Sequence, residues 1–162
     1  MSFLSQLETR AKETESLLGI SLQPDPKRLE DQSSTGLLEF CQEIITQTAD
    51  LTLAYLLEPS ALTAYAGETP DILEQIIALI PEDIPLVLDA RSSLAETANV
   101  GVGPQAVTIN PYSGQDSLQP LAENPDAGIF VLCKTDSPGS AALQEKPLRT
   151  GKLVYERVAT LA

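Results

Sequence analysis

IPLVLDA, from Ile84 to Ala90, is an apolar run that stops on an aspartate. It does not alternate polar with apolar residues. A strand of that kind is covered on both faces, which is the habit of parallel sheets in α/β proteins. Working outward, the same pattern recurs. GISLQPDP (residues 19–26) reads as a short strand running into a Pro-broken turn, and DLTLAYLL (50–57), PQAVTIN (104–110) and GIFVLC (128–133) read as three further strands. The segments between them have helical spacing or helix signals. Ser2–Leu18 carries Phe3, Leu4, Leu7, Ala11, Leu17 and Leu18 at roughly helical intervals. Leu37–Ala49 follows the cluster DQSSTG, with Leu38, Cys41, Ile44, Ile45 and Thr48 on one side. A short helix is expected around Ser60–Tyr65. In ETPDILEQIIALIP, Thr69 fits an N-cap, Pro70 the first helical position and Pro81 the stop. Short helices are expected over Arg91–Ala98 and up to Glu123, with Asp116 and Ser117 capping the second. A helix over Leu153–Leu161 closes the chain.

Strands alternating with helices imply βα units around a parallel sheet. No Gly-x-Gly-x-x-Gly follows the first strand, which argues against dinucleotide binding. A complete (β/α)₈ barrel needs about 250 residues, and this chain has 162. The expected fold is therefore α/β: a partial (β/α) TIM-barrel-like domain of about five parallel strands, one domain over residues 1–162.

Composition narrows the chemistry. Ten basic residues stand against 23 acidic ones, a net charge of −13. Nucleic acids and anionic membranes call for basic patches, so neither is expected as a partner. There is no histidine, which removes the usual general base and the commonest metal ligand. No cofactor and no metal are expected. No apolar run reaches the ~18 residues of a membrane span, and the charged N-terminus lacks the apolar core of a signal peptide. Cys41 and Cys133 have no metal or redox spacing, which fits a reduced, cytoplasmic protein. Cys133 is expected in the core; Gly114, Pro138 and Gly139 are expected in turns.

Several stretches in fixed order carry a resemblance: MSFLSQLETRAKETESLL (1–18), LQPDP (22–26), AVTINPYSGQDSLQP (106–120), GIFVLCKTDSPGSAALQ (128–144) and LVYERVA (153–159). Together they resemble orotidine 5′-phosphate decarboxylase of the longer bacterial type, over the amino-terminal two-thirds or so of that family's barrel. The resemblance implies a cofactor-free decarboxylation at an alternating array of Lys, Asp, Lys and Asp, the last from a partner subunit. Set against that array, Leu56 stands for the first lysine, Asp89 and Arg91 for the Asp-x-Lys, and Leu94 for the second aspartate, with Glu96 nearby. Gln23 replaces the first strand's aspartate. Asp136, with Ser137 next to it, replaces the serine implied to meet the pyrimidine.

Asp89 and Arg91 are therefore the candidate catalytic residues, as a degenerate remnant. Asn110, Asp136 and Ser137 are the candidate ligand-binding residues. The alternative reading of Asp89 and Arg91 is a plain ion pair that caps the next helix. An arginine at the proton-donor position is a poor general acid, because it does not release its proton under ordinary conditions. Three functions follow as expectations: an inactive domain kept for structure or interaction, a nucleotide- or anion-binding module, and a residual decarboxylase. The partner expectation is a homodimer, or a fused or associated domain such as an orotate phosphoribosyltransferase, and a pyrimidine nucleotide as ligand. Five βα units cannot close a barrel, so strands at Gly19–Leu22 and Gly128–Cys133 are each expected to leave an open edge.

Overall fold

The computed structural model describes residues 1–62, 69–91, 105–114 and 123–161. The readings on Asp116, Ser117, Leu94, Glu96 and the helix after Arg91 lie outside them. Five strands form one sheet: β1 (Leu18–Ser21), β2 (Thr52–Leu57), β3 (Leu86–Asp89), β4 (Ala106–Ile109) and β5 (Gly128–Val131). Every neighbouring pair is parallel, and the spatial order is the chain order, β1-β2-β3-β4-β5. The helices are α1 (Phe3–Thr14), α2 (Ser34–Thr48), α3 (Pro59–Leu62), α4 (Thr69–Leu79), α5 (Ala141–Gln144) and α6 (Val154–Leu161). The expected half-barrel of five parallel strands is thus the observed architecture.

Strand alternation divides the core in two. Leu22, Tyr55, Leu57, Leu86, Leu88, Val107 and Ile109 turn to the face covered by α2 and α4, where they meet Leu37, Cys41, Ile45, Ile72, Ile76 and Ile77. This is the larger apolar mass. On the other face Leu56, Val87 and Ala106 form a small cluster with Phe3 and Leu7 of α1. Tyr55 is fully buried, and its hydroxyl meets Thr48 Oγ1 at 2.8 Å, so its polar end is satisfied at the end of α2.

Helix α1 crosses the amino ends of the strands. Ser2 caps it, its hydroxyl accepting from Ser5 N–H. Arg10 anchors it: the guanidinium donates from Nε to Thr52 C=O at 3.1 Å and from Nη2 to Ala49 C=O, and pairs with Asp83 at 2.8 Å. Phe3 docks against Gly128, where an added Cβ would lie 2.3 Å from the Phe3 ring. The Phe3 ring also meets Phe130 edge-on, centroids 5.9 Å apart.

Two helix boundaries differ from the sequence reading by three residues or more. Helix α1 stops at Thr14, not Leu18, because Glu15 turns left-handed at φ 50°. Leu18 is needed instead to pair with Thr52. Leu17 and Leu18 are therefore exposed, despite their helical spacing, and Leu4 is exposed within α1 itself. Helix α2 starts three residues earlier than expected, at Ser34, capped by Ser33, whose hydroxyl accepts from Gly36 N–H. Leu37 and Cys41 are its fully buried side chains. At the carboxyl end, the bridge Pro147–Leu153 forms a short antiparallel link before α6.

Candidate functional site

Polar residues gather where the apolar strands stop. Extending the register past the strand ends explains which of them meet. Ser21 lies beside Leu56, Leu56 beside Val87, and Asp89 beside Thr108. Two residues further along, Gln23 comes beside Glu58, and Glu58 falls level with Asp89. The first of these contacts is made: Gln23 Nε2 donates to Glu58 Oε2 at 2.6 Å, while Ser60 Oγ donates to Glu58 Oε1 at 2.8 Å.

Asp89 closes β3 and is half-buried. Arg91 wraps back onto it. Its guanidinium reaches the two carboxylate oxygens, Nη2 to Oδ2 at 2.6 Å and Nε to Oδ1 at 2.7 Å, and its backbone N–H also donates to Oδ1. This two-pronged pairing is the strong form of an Arg–carboxylate contact. The hydrogen bond from Asp89 raises the Arg91 pKa above its ordinary value, with Glu58 and Asp136 adding negative charge from nearby. Arg91 is thus tied down and holds its proton more tightly than a free arginine. The three carboxylates around it outnumber its single charge.

The other sequence candidates lie on the segments that follow β4 and β5. Asn110 follows β4 and is occupied locally, its Oδ1 accepting from Tyr112 N–H at 3.0 Å to start the turn Pro111–Ser113. Asp136 and Ser137 sit exposed on the loop after β5. That loop is shaped by Gln144, which bonds Thr135 through N–H and Oγ1, and by Ser140, whose hydroxyl reaches Thr135 C=O. Asp136 is close enough to influence Arg91.

The register puts Glu58 level with Asp89. Leu56 lies one layer lower, packed against Val87 and Ala106. Glu58 was missed, although it is the first polar residue after the apolar run of β2, the same place Asp89 holds after β3. Cys133, expected in the core, is half-buried at the end of the edge strand, its thiol donating to Val131 C=O at 3.4 Å. Cys41 is the buried cysteine, and burial pushes its thiol pKa up to about 11.

Parallel βα units with a polar mouth at the carboxyl ends of the strands define a domain of the (β/α)-barrel class. The relatives say which one. The chain is 35% identical to an orotidine 5′-phosphate decarboxylase of Roseiflexus castenholzii, over 100% of this chain and 63% of that protein. It is 34% identical to the bifunctional enzyme PyrF/PyrE of Nostoc sp., over 98% of this chain and 36% of that protein. The solved structure of Leishmania donovani OMP decarboxylase superposes with a TM-score of 0.82 at 32% identity, covering 98% of this chain and 64% of that one. No family model matches. The chain belongs to the orotidine 5′-phosphate decarboxylase family and spans less than two thirds of the length of these relatives.

Proposed function

We propose that this chain is a decarboxylase-like domain without decarboxylase activity, kept as a structural or interaction part of pyrimidine biosynthesis. One observation carries the reading: Arg91 stands where the resemblance implies a proton-donating lysine, and both of its prongs are spent on Asp89. A guanidinium held in this way neither gives up a proton readily nor turns toward a substrate. Glu58 reinforces the reading. It adds a negative charge at the mouth, engaged with Gln23 and Ser60, where an anionic substrate needs positive potential. Asn110 is committed to its own turn, and Asp136 adds further negative charge, so neither offers a ready grip on a phosphorylated ligand. Association with a second domain fits the Nostoc relative, whose name describes a bifunctional enzyme.

The test is a decarboxylation assay with orotidine 5′-phosphate on the purified chain. No release of carbon dioxide above background is expected, since losing even one preorganised charge costs about 10²–10³ in rate. Turnover that disappears in Asp89→Ala would overturn the proposal.

A further inference from the structure

The basic residues of this chain are unevenly placed. Residues 29–90 hold twelve acidic residues and no Lys or Arg, whereas residues 146–157 hold Lys146, Arg149, Lys152 and Arg157 against Glu156 alone. The fold turns this unevenness into two surfaces. Helices α2 and α4 pack side by side against one face of the sheet. Outside they expose Glu39, Glu43, Asp71 and Glu74, with Asp50 and Glu82 beyond their ends. Glu39 and Glu43 are one helical turn apart, a spacing at which like charges repel. Neither helix carries a base to relieve them.

The basic residues ride on a formed turn. Leu148 N–H donates to Lys152 C=O at 2.8 Å, Gly151 N–H to Leu148 C=O at 2.9 Å, and Val154 N–H to Lys146 C=O at 3.1 Å. Gly151 takes φ 83°, the left-handed position that closes a three-residue hairpin loop. Both carboxylates beside the turn are occupied. Glu145 pairs with Lys134, whose ammonium also lies over the Tyr155 ring, and Glu156 accepts from Leu153 N–H. Lys146, Arg149 and Lys152 are exposed, and among the described residues none of them joins an ion pair. Bases elsewhere on the surface stand among acids: Lys12 beside Glu13, and Lys27 with Arg28 between Asp25 and Glu30. A turn held by its own hydrogen bonds presents its charges with little ordering cost on contact.

We propose that the turn Lys146–Lys152 docks on the acidic α2–α4 face of a second copy of this chain. The chain carries both complementary surfaces, so a second copy is the occupant. The two patches differ, which makes the contact heterologous, with copies adding head to tail. Two net charges of −13 repel at long range. In about 0.1 M salt only charges within ~10 Å of each other count, and at the contact those are opposite in sign. Attraction therefore peaks at intermediate salt. A contact of this size and polarity belongs to the weak, transient class. The inference is independent of whether the site at the strand ends is active.

Sedimentation velocity at about 0.1 mM protein reaches contacts of that strength. The probe is the chain itself, in sodium chloride at about 0.01, 0.1 and 1 M. Association should be greatest at the middle concentration and smaller at both extremes. Arg149→Glu combined with Lys152→Glu should weaken it by about tenfold or more, and so should Glu39→Lys combined with Glu43→Lys. Mixing the two variants should restore it, because each reversed patch then meets its opposite. That recovery also shows both variants folded. No association at any salt, association that climbs steadily with salt, or association that either variant leaves intact overturns the proposal. So does a mixture that stays monomeric. A monomer that binds polyglutamate through Arg149 and Lys152 also overturns it, in favour of a separate acidic partner.

Discussion

Arg91 and Asp89 make the best-paired contact at the mouth of the sheet, yet the arginine side chain keeps 43% of its surface exposed and the aspartate 17%. Solvent screening holds such a pair to about 1 kcal/mol. Arg91→Ala should therefore lower the melting temperature by roughly 2–4 °C for a chain of this size. It should leave no ligand phenotype, because the guanidinium is already spent on its neighbour. Calorimetric melting with titration of uridine 5′-phosphate checks both halves. An unchanged melting point with binding lost in the variant would instead make this a nucleotide-binding module. The pair itself was legible in the sequence, because an aspartate ending an apolar strand and an arginine two residues on are within reach of each other. Glu58 was not legible in the same way. Following the tyrosine of β2 led to Leu56, and only the register shows that Leu56 belongs to the layer below.

At the scale of elements, the parallel strands could be read because each is apolar on both faces, and burial on both faces is what the sheet delivers, at Leu57 and Leu88 on one side and at Val87 and Ala106 on the other. Helix α1 was the harder element. Leu17 and Leu18 continue its apolar spacing, but the pairing of Leu18 with β2 overrides that spacing. Nor could its anchor be foreseen, since a lone arginine in a helix reads as a solvent-facing residue. In the fold Arg10 is 9% exposed and satisfies two carbonyls at the foot of the sheet, those of Thr52 and Ala49. Its partner Asp83 is largely exposed and contributes little. The main loss on truncation is then two acceptors left without a donor, at 1–3 kcal/mol each where water cannot replace it. Arg10→Ala should cost about 3 kcal/mol in urea unfolding, while Lys12→Ala, exposed one turn-half away, should cost next to nothing. A loss below about 1 kcal/mol at Arg10 would mean that water enters under α1, leaving Phe3 in its niche beside Gly128 as the real anchor.

For the whole molecule, the dominant unpaired quantity is charge. Acidic residues exceed basic ones by 13, and the described residues hold three ion pairs, Arg10–Asp83, Arg91–Asp89 and Lys134–Glu145. Each pair has a well-exposed partner, so screening them removes at most about 1 kcal/mol apiece. The surplus acids repel one another over distances comparable to the ~10 Å screening length at 0.1 M salt, and that repulsion opposes compaction. The two effects of salt have opposite signs, and the surplus outweighs the pairs. Raising sodium chloride from about 0.01 M to about 0.3 M shortens the screening length from ~30 Å to well under 10 Å. The melting temperature should rise by a few degrees over that range. Chloride is the right salt, because sulfate also strengthens apolar burial and would confuse the sign. The same rise should appear when potassium replaces sodium, since screening depends on ionic strength and not on a site. A melting point that falls with salt would show that the ion pairs hold this sheet together more than the excess charge pushes it apart.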